Sequence, residues 1–322
     1  MTQAHKPQLG ISSCLLGNAV RFDSGHKHNA YITQSLGEYF EFVPVCPEVA
    51  AGLGIPRPPI HLVKQQGEIR LLHVKNHRVD VTAALQAASD HLLAEPKLAQ
   101  LSGFILKKDS PSCGMERVKV YPEFATGQVP ERSGIGLFAA SLQKTFPNLP
   151  VEEEGRLCDP VLRENFIGRV FVYQRWQALL QTALTAATLL QFHADHKYLI
   201  MAHDQVGLRS LGQLLAQAGK VDLSQLHAQY IQTLMQILSK RASRGQQANV
   251  LTHLLGYLST HLEREDKAEL VERITQYQQG YLPLIVPITL LKHHFRKHPH
   301  PYIERQYYLK PHPSELMLLN SI

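Results

Sequence analysis

The chain reads as an α/β Rossmann-like N-terminal domain with a parallel sheet, residues 1–155, followed by an all-α C-terminal domain, residues 156–322. Three observations predict this. At a prior of about 150 residues per domain, 322 residues suggest two cores. In the first half, short apolar runs alternate with helical spacing, the pattern of strands covered by helices. In the second half nearly every apolar residue recurs at helical spacing and β-branched alternation is scarce.

The apolar runs at 9–12, 40–45 and 101–106 are the expected strands. Each ends in a polar or turn-forming stretch: Ser13–Cys14, then Cys46–Pro47–Glu48, then Lys107 through Gly114. Val81, Ala84, Leu85, Ala88 and Leu92 set a helix over 81–94, and 134–146 reads as another. The acidic run Glu152–Glu154 within 151–160 marks the boundary. Beyond it, helices are expected over 166–192, 211–218, 223–241, 249–258 and 267–278.

Apolar residues at 44% and charged residues at 19% exclude collagen, low-complexity disorder and a coiled coil. The longest apolar stretch, 281–291, is broken by Pro283 and Pro287, so no membrane span is expected. The N-terminal MTQAHKPQ lacks a signal-peptide core, which predicts a cytoplasmic protein. The net charge of +6 is uneven: residues 1–155 carry 15 Lys/Arg against 15 Asp/Glu, and residues 156–322 carry 18 against 12. A neutral half joined to a basic half suggests chemistry in one and anion binding in the other, although a basic solvated surface gives the same count.

Four cysteines in a cytosolic chain of this size are not a disulfide framework. Cys14, Cys46 and Cys113 stand 32 and 67 residues apart, which matches no zinc-ribbon or ferredoxin spacing. Their context says more. Each follows a predicted strand, where open parallel sheets place their ligands. A shared metal or cluster site, independent buried thiols and a cysteine nucleophile all stay open. Glu48 is a candidate general base or a helix N-terminal charge, and Ser110 and Ser112 are candidate substrate-orienting hydroxyls, Ser110 being otherwise a turn residue before Pro111. Asp23 fits either the same strand ends or an Asp–Ser–Gly turn, and His26 and His28 fit either metal ligands or a solvated loop. Cys158, at the boundary, reads as a packed interdomain thiol. In the second half, residues 292–310 hold Lys292, Arg296, Lys297, Arg305 and Lys310 against a single acid, with Phe295, Tyr302, Tyr307 and Tyr308 interleaved. Cations suit phosphates and aromatics suit unstacked bases. Lys240, Arg241 and Arg244 form a smaller basic cluster that helix-dipole compensation also explains.

The ordered motifs SSCLLG, VCPEVAAGLGIPRPP and KKDSPSCG resemble those of the thiouracil desulfidase family, over residues 8 to 150. From RLCDPVLRENFIGRVF onward the chain resembles the YbgA-type helical domain often fused to it. The resemblance implies a [4Fe-4S] cluster held by Cys14, Cys46 and Cys113. It also implies sulfur removal from thiolated uracil without net redox, with Glu48 and Ser110 as catalytic residues. The fused form resembles tRNA 4-thiouridine desulfidases, which implies tRNA as substrate, hydrosulfide as product, and RNA held by the helical half. Two other readings remain: a desulfidase of free thiouracil or thionucleotides, and an RNA-binding module with a structural zinc on three cysteines and one histidine.

Overall fold

The computed structural model describes residues 6–123, 129–182 and 184–322. The first five residues of the N-terminal octapeptide lie outside the described residues. The chain divides into two compact units, Met1–Cys158 and Asp159–Ile322.

The first unit is built on a four-stranded parallel sheet in the order β2-β1-β6-β9. Its strands are β1 (Gln8–Ser12), β2 (Glu41–Val45), β6 (Gly103–Leu106) and β9 (Val151–Glu153). The central strands β1 and β6 are almost wholly buried, which is why they read as unbroken apolar runs. At the edge, β2 carries Pro44, which an edge strand tolerates because one side of its ladder is unpaired. The packing of β6 on β1 is tight. A Cβ on Gly10 would sit 2.3 Å from the Phe104 ring, so only glycine fits there. The helices α1 (Pro47–Ala50), α2 (Thr82–Leu93), α3 (Pro96–Ala99) and α4 (Leu137–Thr145) complete the unit. The Phe138 ring of α4 packs 5.7 Å from Phe104.

The acidic run read as a boundary is instead β9, the sheet's fourth strand, with Glu152 and Glu153 buried. Glu152 is held there by Arg156 at 2.6 Å and Glu153 accepts from the Met115 amide at 2.8 Å.

A second sheet, unforeseen in the sequence, has the order β5-β4-β3-β7-β8. It comprises β3 (Ile60–Gln65), β4 (Glu68–His73), β5 (Asn76–Asp80), β7 (Val118–Pro122) and β8 (Glu131–Gly134). Gln66 and Gly67, both at positive φ, make the two-residue turn between β3 and β4, as twisted hairpins require. One face packs Leu62, Leu71, Val118 and Val120 against Val81 and Leu85 of the α2 region.

The second unit is helical: α5 (Pro160–Gln181), α6 (Ala186–His203), α7 (Gln205–Leu215), α8 (Leu223–Ser239), α9 (Arg244–Leu258), α10 (Arg264–Gln279), α11 (Ile285–Lys297) and α12 (Pro301–Glu304). The single helix expected over 166–192 is two. Thr185 caps α6 in a reciprocal box with Thr188, which starts a new helix there. Asp159, Asp204, Asp222 and Ser243 cap α5, α7, α8 and α9. The core centres on Trp176, which stacks on Tyr230 at 5.7 Å.

Candidate active site

The carboxyl ends of β1, β2 and β6 open onto one cavity of about 310 Å³. Cys14 reaches it from the 3-10 turn after β1, Cys46 from the residue after β2, and Cys113 from the loop after β6. All three are free thiols, and Glu48 and Ser110 line the same cavity.

The thiols sit where charge is costly. Burial pushes Cys14 and Cys46 above the ordinary thiol value, with Arg21 and Lys107 opposing it at Cys14. Burial pushes Cys113 well above it, against a hydrogen bond from Ser12, and Glu48 and the other two thiols push the same way. The sites feel one another, so the three thiols form one electrostatic unit.

The Cys113 loop is fixed from several sides. Ser110 Oγ accepts from the amides of Ser112 at 3.2 Å and Cys113 at 3.0 Å. Ser110 thus fulfils the turn reading while its hydroxyl still borders the cavity. The first amides of α4, Phe138 and Ala139, donate to the Ser112 carbonyl at 3.0 and 3.2 Å. Gly136 lets the helix approach this closely, since a Cβ there would lie 2.5 Å from the Ser112 backbone.

Glu48 is clamped. One oxygen accepts from Arg57 Nε at 2.8 Å, with Arg57 Nη2 at 2.6 Å, and the other accepts from Ser112 Oγ at 2.8 Å. Arg57 is itself buried and donates to the carbonyls of Gly54 at 2.8 Å and Val20 at 3.0 Å. Arg57 is a neighbour of Glu48 that the sequence reading missed, while Ser112, expected as a substrate-orienting hydroxyl, is turned to Glu48 instead. The signal for Arg57 was a lone cation inside the apolar, proline-rich GLGIPRPPI, a place where a charge needs a partner. On the opposite wall Lys107 pairs with Glu154, whose other oxygen accepts from the Lys108 amide at 2.7 Å.

Asp23 does not line the cavity; its carboxylate accepts from the Gly25 amide at 3.1 Å in an exposed turn. His26 and His28 also lie outside it, and His28 instead meets Thr33 at 2.9 Å. Cys158 is exposed rather than packed.

In the helical unit, Lys292, Arg296 and Lys310 line a cleft of about 810 Å³ floored by Phe295, Ile303 and Leu309. Lys297 is exposed outside that cleft, and Arg305 turns to Asp195 at 3.5 Å. The interleaved tyrosines are not presented to bases. Tyr308 is buried, and Tyr307 stacks on His196 at 4.5 Å with the Arg175 guanidinium 3.9 Å from its centre. The helical core needed those rings more than the surface did. In the smaller cluster, Lys240 pairs with Asp204, and Arg244 donates to the carbonyls of Tyr277 at 3.0 Å and Leu282 at 3.2 Å.

Fold and site together define an α/β protein with a three-thiol cavity at its sheet ends, continued by a helical domain. Residues 9–154 match the family described as 2-thiouracil desulfurase, and residues 197–313 match a family described as a protein of unknown function, DUF1722. The chain belongs to the 2-thiouracil desulfurase family, a family of desulfidase enzymes, with a DUF1722 helical domain attached. The uncharacterised protein YbgA of Escherichia coli K12 is 29% identical over 154 residues, 48% of this chain and 91% of that one. The uncharacterised protein YbbK of Bacillus subtilis 168 is 33% identical over 108 residues, 32% of this chain and 71% of that one. The solved structure of the [4Fe-4S]-dependent thiouracil desulfidase TudS is 29% identical, covers 48% of this chain and 95% of its own, and superposes with a TM-score of 0.37.

Proposed function

We propose that this chain removes sulfur from 4-thiouridine in tRNA, using a [4Fe-4S] cluster held by Cys14, Cys46 and Cys113. The observation that carries the reading is that three free thiols from three separate loops share one cavity with a clamped carboxylate.

The donor set suits a polynuclear centre. Thiols pushed up by burial are poor thiolates until a cationic centre compensates them. A single zinc ion asks its sulfur donors to lie within about 4 Å of one another. Among the described residues no group of three His, Cys, Asp or Glu side chains meets what one ion needs. A cluster gives each thiolate its own iron and so tolerates wider spacing. The structural-zinc reading is therefore the weaker one.

When bound, a cubane with three protein thiolates supplies an open Lewis-acidic iron that prefers soft sulfur. The rest is work for the chain. The cavity, about 310 Å³, is large enough for a base. Glu48, held by Arg57 and Ser112, accepts the proton of the attacking water. Ser110, fixed by its two amides, presents its hydroxyl toward the base or the departing sulfur. Water replaces sulfur at the carbon, and the products are uridine, hydrosulfide and a proton, with no change of oxidation state.

The RNA part of the reading is supported by Lys292, Arg296 and Lys310 converging on one cleft with a single acid, Glu304, beside them. Free thiouracil is the second reading, because the cysteine cavity by itself requires no more than a base. A reducing, cytoplasmic setting fits the free thiols. Anaerobic incubation of reconstituted protein with thiolated tRNA and with thiouracil, followed by nucleoside and sulfide analysis, tests both. Turnover of the free base alone removes tRNA from the reading, and a colourless zinc protein removes the cluster.

A further inference from the structure

Beside the cysteine cavity lies a second cleft of about 680 Å³, and the two share Ile60, Asp109 and Pro111 on their rims. Strands β3, β5 and β7 of the second sheet contribute His61, His77, Lys119 and Tyr121 to its wall. Three rings meet there from three strands. His61 on β3 lies 4.7 Å from the Tyr121 ring on β7 and 5.0 Å from the His77 ring on β5, centre to centre. His61 Nε2 and His77 Nε2 share a hydrogen bond at 3.0 Å, so one imidazole donates and the other accepts. Burial first, and His77 second, hold His61 below the ordinary histidine value, which keeps its ring uncharged at neutral pH. Exposed Lys119 lines the same cleft two residues before Tyr121 on the same strand.

Nothing in the sulfur chemistry uses these groups. A free thiouracil seated among the cysteines leaves the second cleft empty. We propose that the second cleft seats the nucleotide adjoining the thiolated one, its base against the His61–His77–Tyr121 rings and its phosphate near Lys119. Three features favour this occupant. The cleft continues the reaction cavity, its clustered rings can stack a base of any sequence, and Lys119 lines the same cleft as a cation for the linking phosphate. The inference rests on the reading that the cysteine cavity takes a thiolated uracil. It makes the preferred substrate a polynucleotide through contacts in the first unit alone.

The test uses the holoenzyme and two substrates, free 4-thiouracil and a dinucleotide of 4-thiouridine and uridine. Affinity for the sulfur-free dinucleotide UpU is read separately by NMR titration. The wild type is expected to prefer the thiolated dinucleotide. In His61→Val/Tyr121→Leu the ratio of kcat/KM values, dinucleotide over free base, should fall about tenfold, and UpU affinity should fall about as much. Tyr121→Phe keeps the ring and should keep both. The surface variant Lys119→Gln, which disturbs no core contact, should weaken UpU binding and flatten its salt dependence. No dinucleotide preference in the wild type, or UpU affinity unchanged in both the double variant and Lys119→Gln, overturns the proposal. That preference is read only where sulfide is released; absence of sulfide release from either substrate overturns the desulfidase reading, and the cleft assignment then stands or falls on whether UpU affinity drops in the double variant and in Lys119→Gln.

Discussion

The two units treat charge in opposite ways. The first is nearly neutral, with 16 Lys/Arg against 15 Asp/Glu over 1–158, yet it holds buried and half-buried charges in pairs: Glu48 with Arg57, Lys107 with Glu154, Glu152 with Arg156. The second is basic by count, and its excess cations stay on the outside, as Lys292, Arg296, Lys297 and Lys310 do. Its interior polarity is mainly neutral: Asn165, Gln247, Gln306, His196, His203 and His294 are buried. Net charge therefore finds unpaired surface cations well and says nothing about paired interior charges, which is where the first unit keeps its chemistry.

The comparison can be broken at several points. The largest effect expected is complete: Cys14→Ser, Cys46→Ser or Cys113→Ser should each abolish iron incorporation on anaerobic reconstitution, whereas exposed Cys158→Ser should leave it intact. Iron and visible absorbance per chain decide this, and retention in Cys46→Ser would dissolve the three-thiol site.

Next, Glu48→Gln should lower turnover by about 10²–10⁴ with substrate affinity kept, the usual loss when acid–base help is removed. Steady-state kinetics that show an unchanged kcat take Glu48 out of the reaction. Arg57→Met strands that carboxylate in a half-closed site. It should cost about 3–5 kcal/mol in urea unfolding, as removal of one partner of a buried pair does. The double change with Glu48→Gln should recover part of the loss.

For the second unit, Lys292→Gln, Arg296→Gln and Lys310→Gln together should weaken tRNA binding and flatten its salt slope by about 0.7–0.9 log units per lost phosphate contact. Arg305→Gln, whose cation already faces Asp195, should do little. Equal slopes in the triple variant would make the basic surface a solvating one.

The smallest effect concerns pH. In the helical unit burial pushes His193 down to about 4 and His196 well below the ordinary value, and lowers His203 and His312 as well. A histidine held neutral by burial binds fewer protons folded than unfolded. Its contribution is present above the unfolded value of about 6.5 and is lost as pH falls from there toward the folded value. Each pH unit costs at most about 1.4 kcal/mol per such histidine. The chain's single tryptophan, Trp176, lies in the helical core and reports on that unit alone. Its fluorescence midpoint in urea should drop between pH 6.5 and pH 5, and a flat profile would contradict the buried neutral histidines.

What the sequence made legible follows the same division. Strands β1 and β6 were readable because central parallel strands are mostly apolar, edge strand β2 because Phe42, Val43 and Val45 keep it largely apolar, and the cysteines because the strand ends carry turn chemistry. The second sheet was not, since β5, Asn76–Asp80, is exposed along its whole length and shows no apolar alternation. Arg57 was hidden because only the folded chain brings it to Glu48. The fresh helix start at Thr185 was hidden because Thr188, rather than the usual Glu or Gln, closes the capping box. The tyrosines of 302–308 looked available because a periodic run does not reveal which neighbour covers it.

The spacing of the three thiols has a consequence for biogenesis. Cys14 and Cys113 come together only when β6 has docked beside β1, a pairing between distant parts of the chain. Contacts of this kind close a long loop before they return any stability. A nascent chain that has exposed Cys14 and Cys46 but not yet β6 offers an incoming metal no more than two of its sulfurs. On the proposed ligand set, assembly of the centre would be tied to completion of the sheet, and a chain stalled before that strand would stay unloaded however much iron surrounded it.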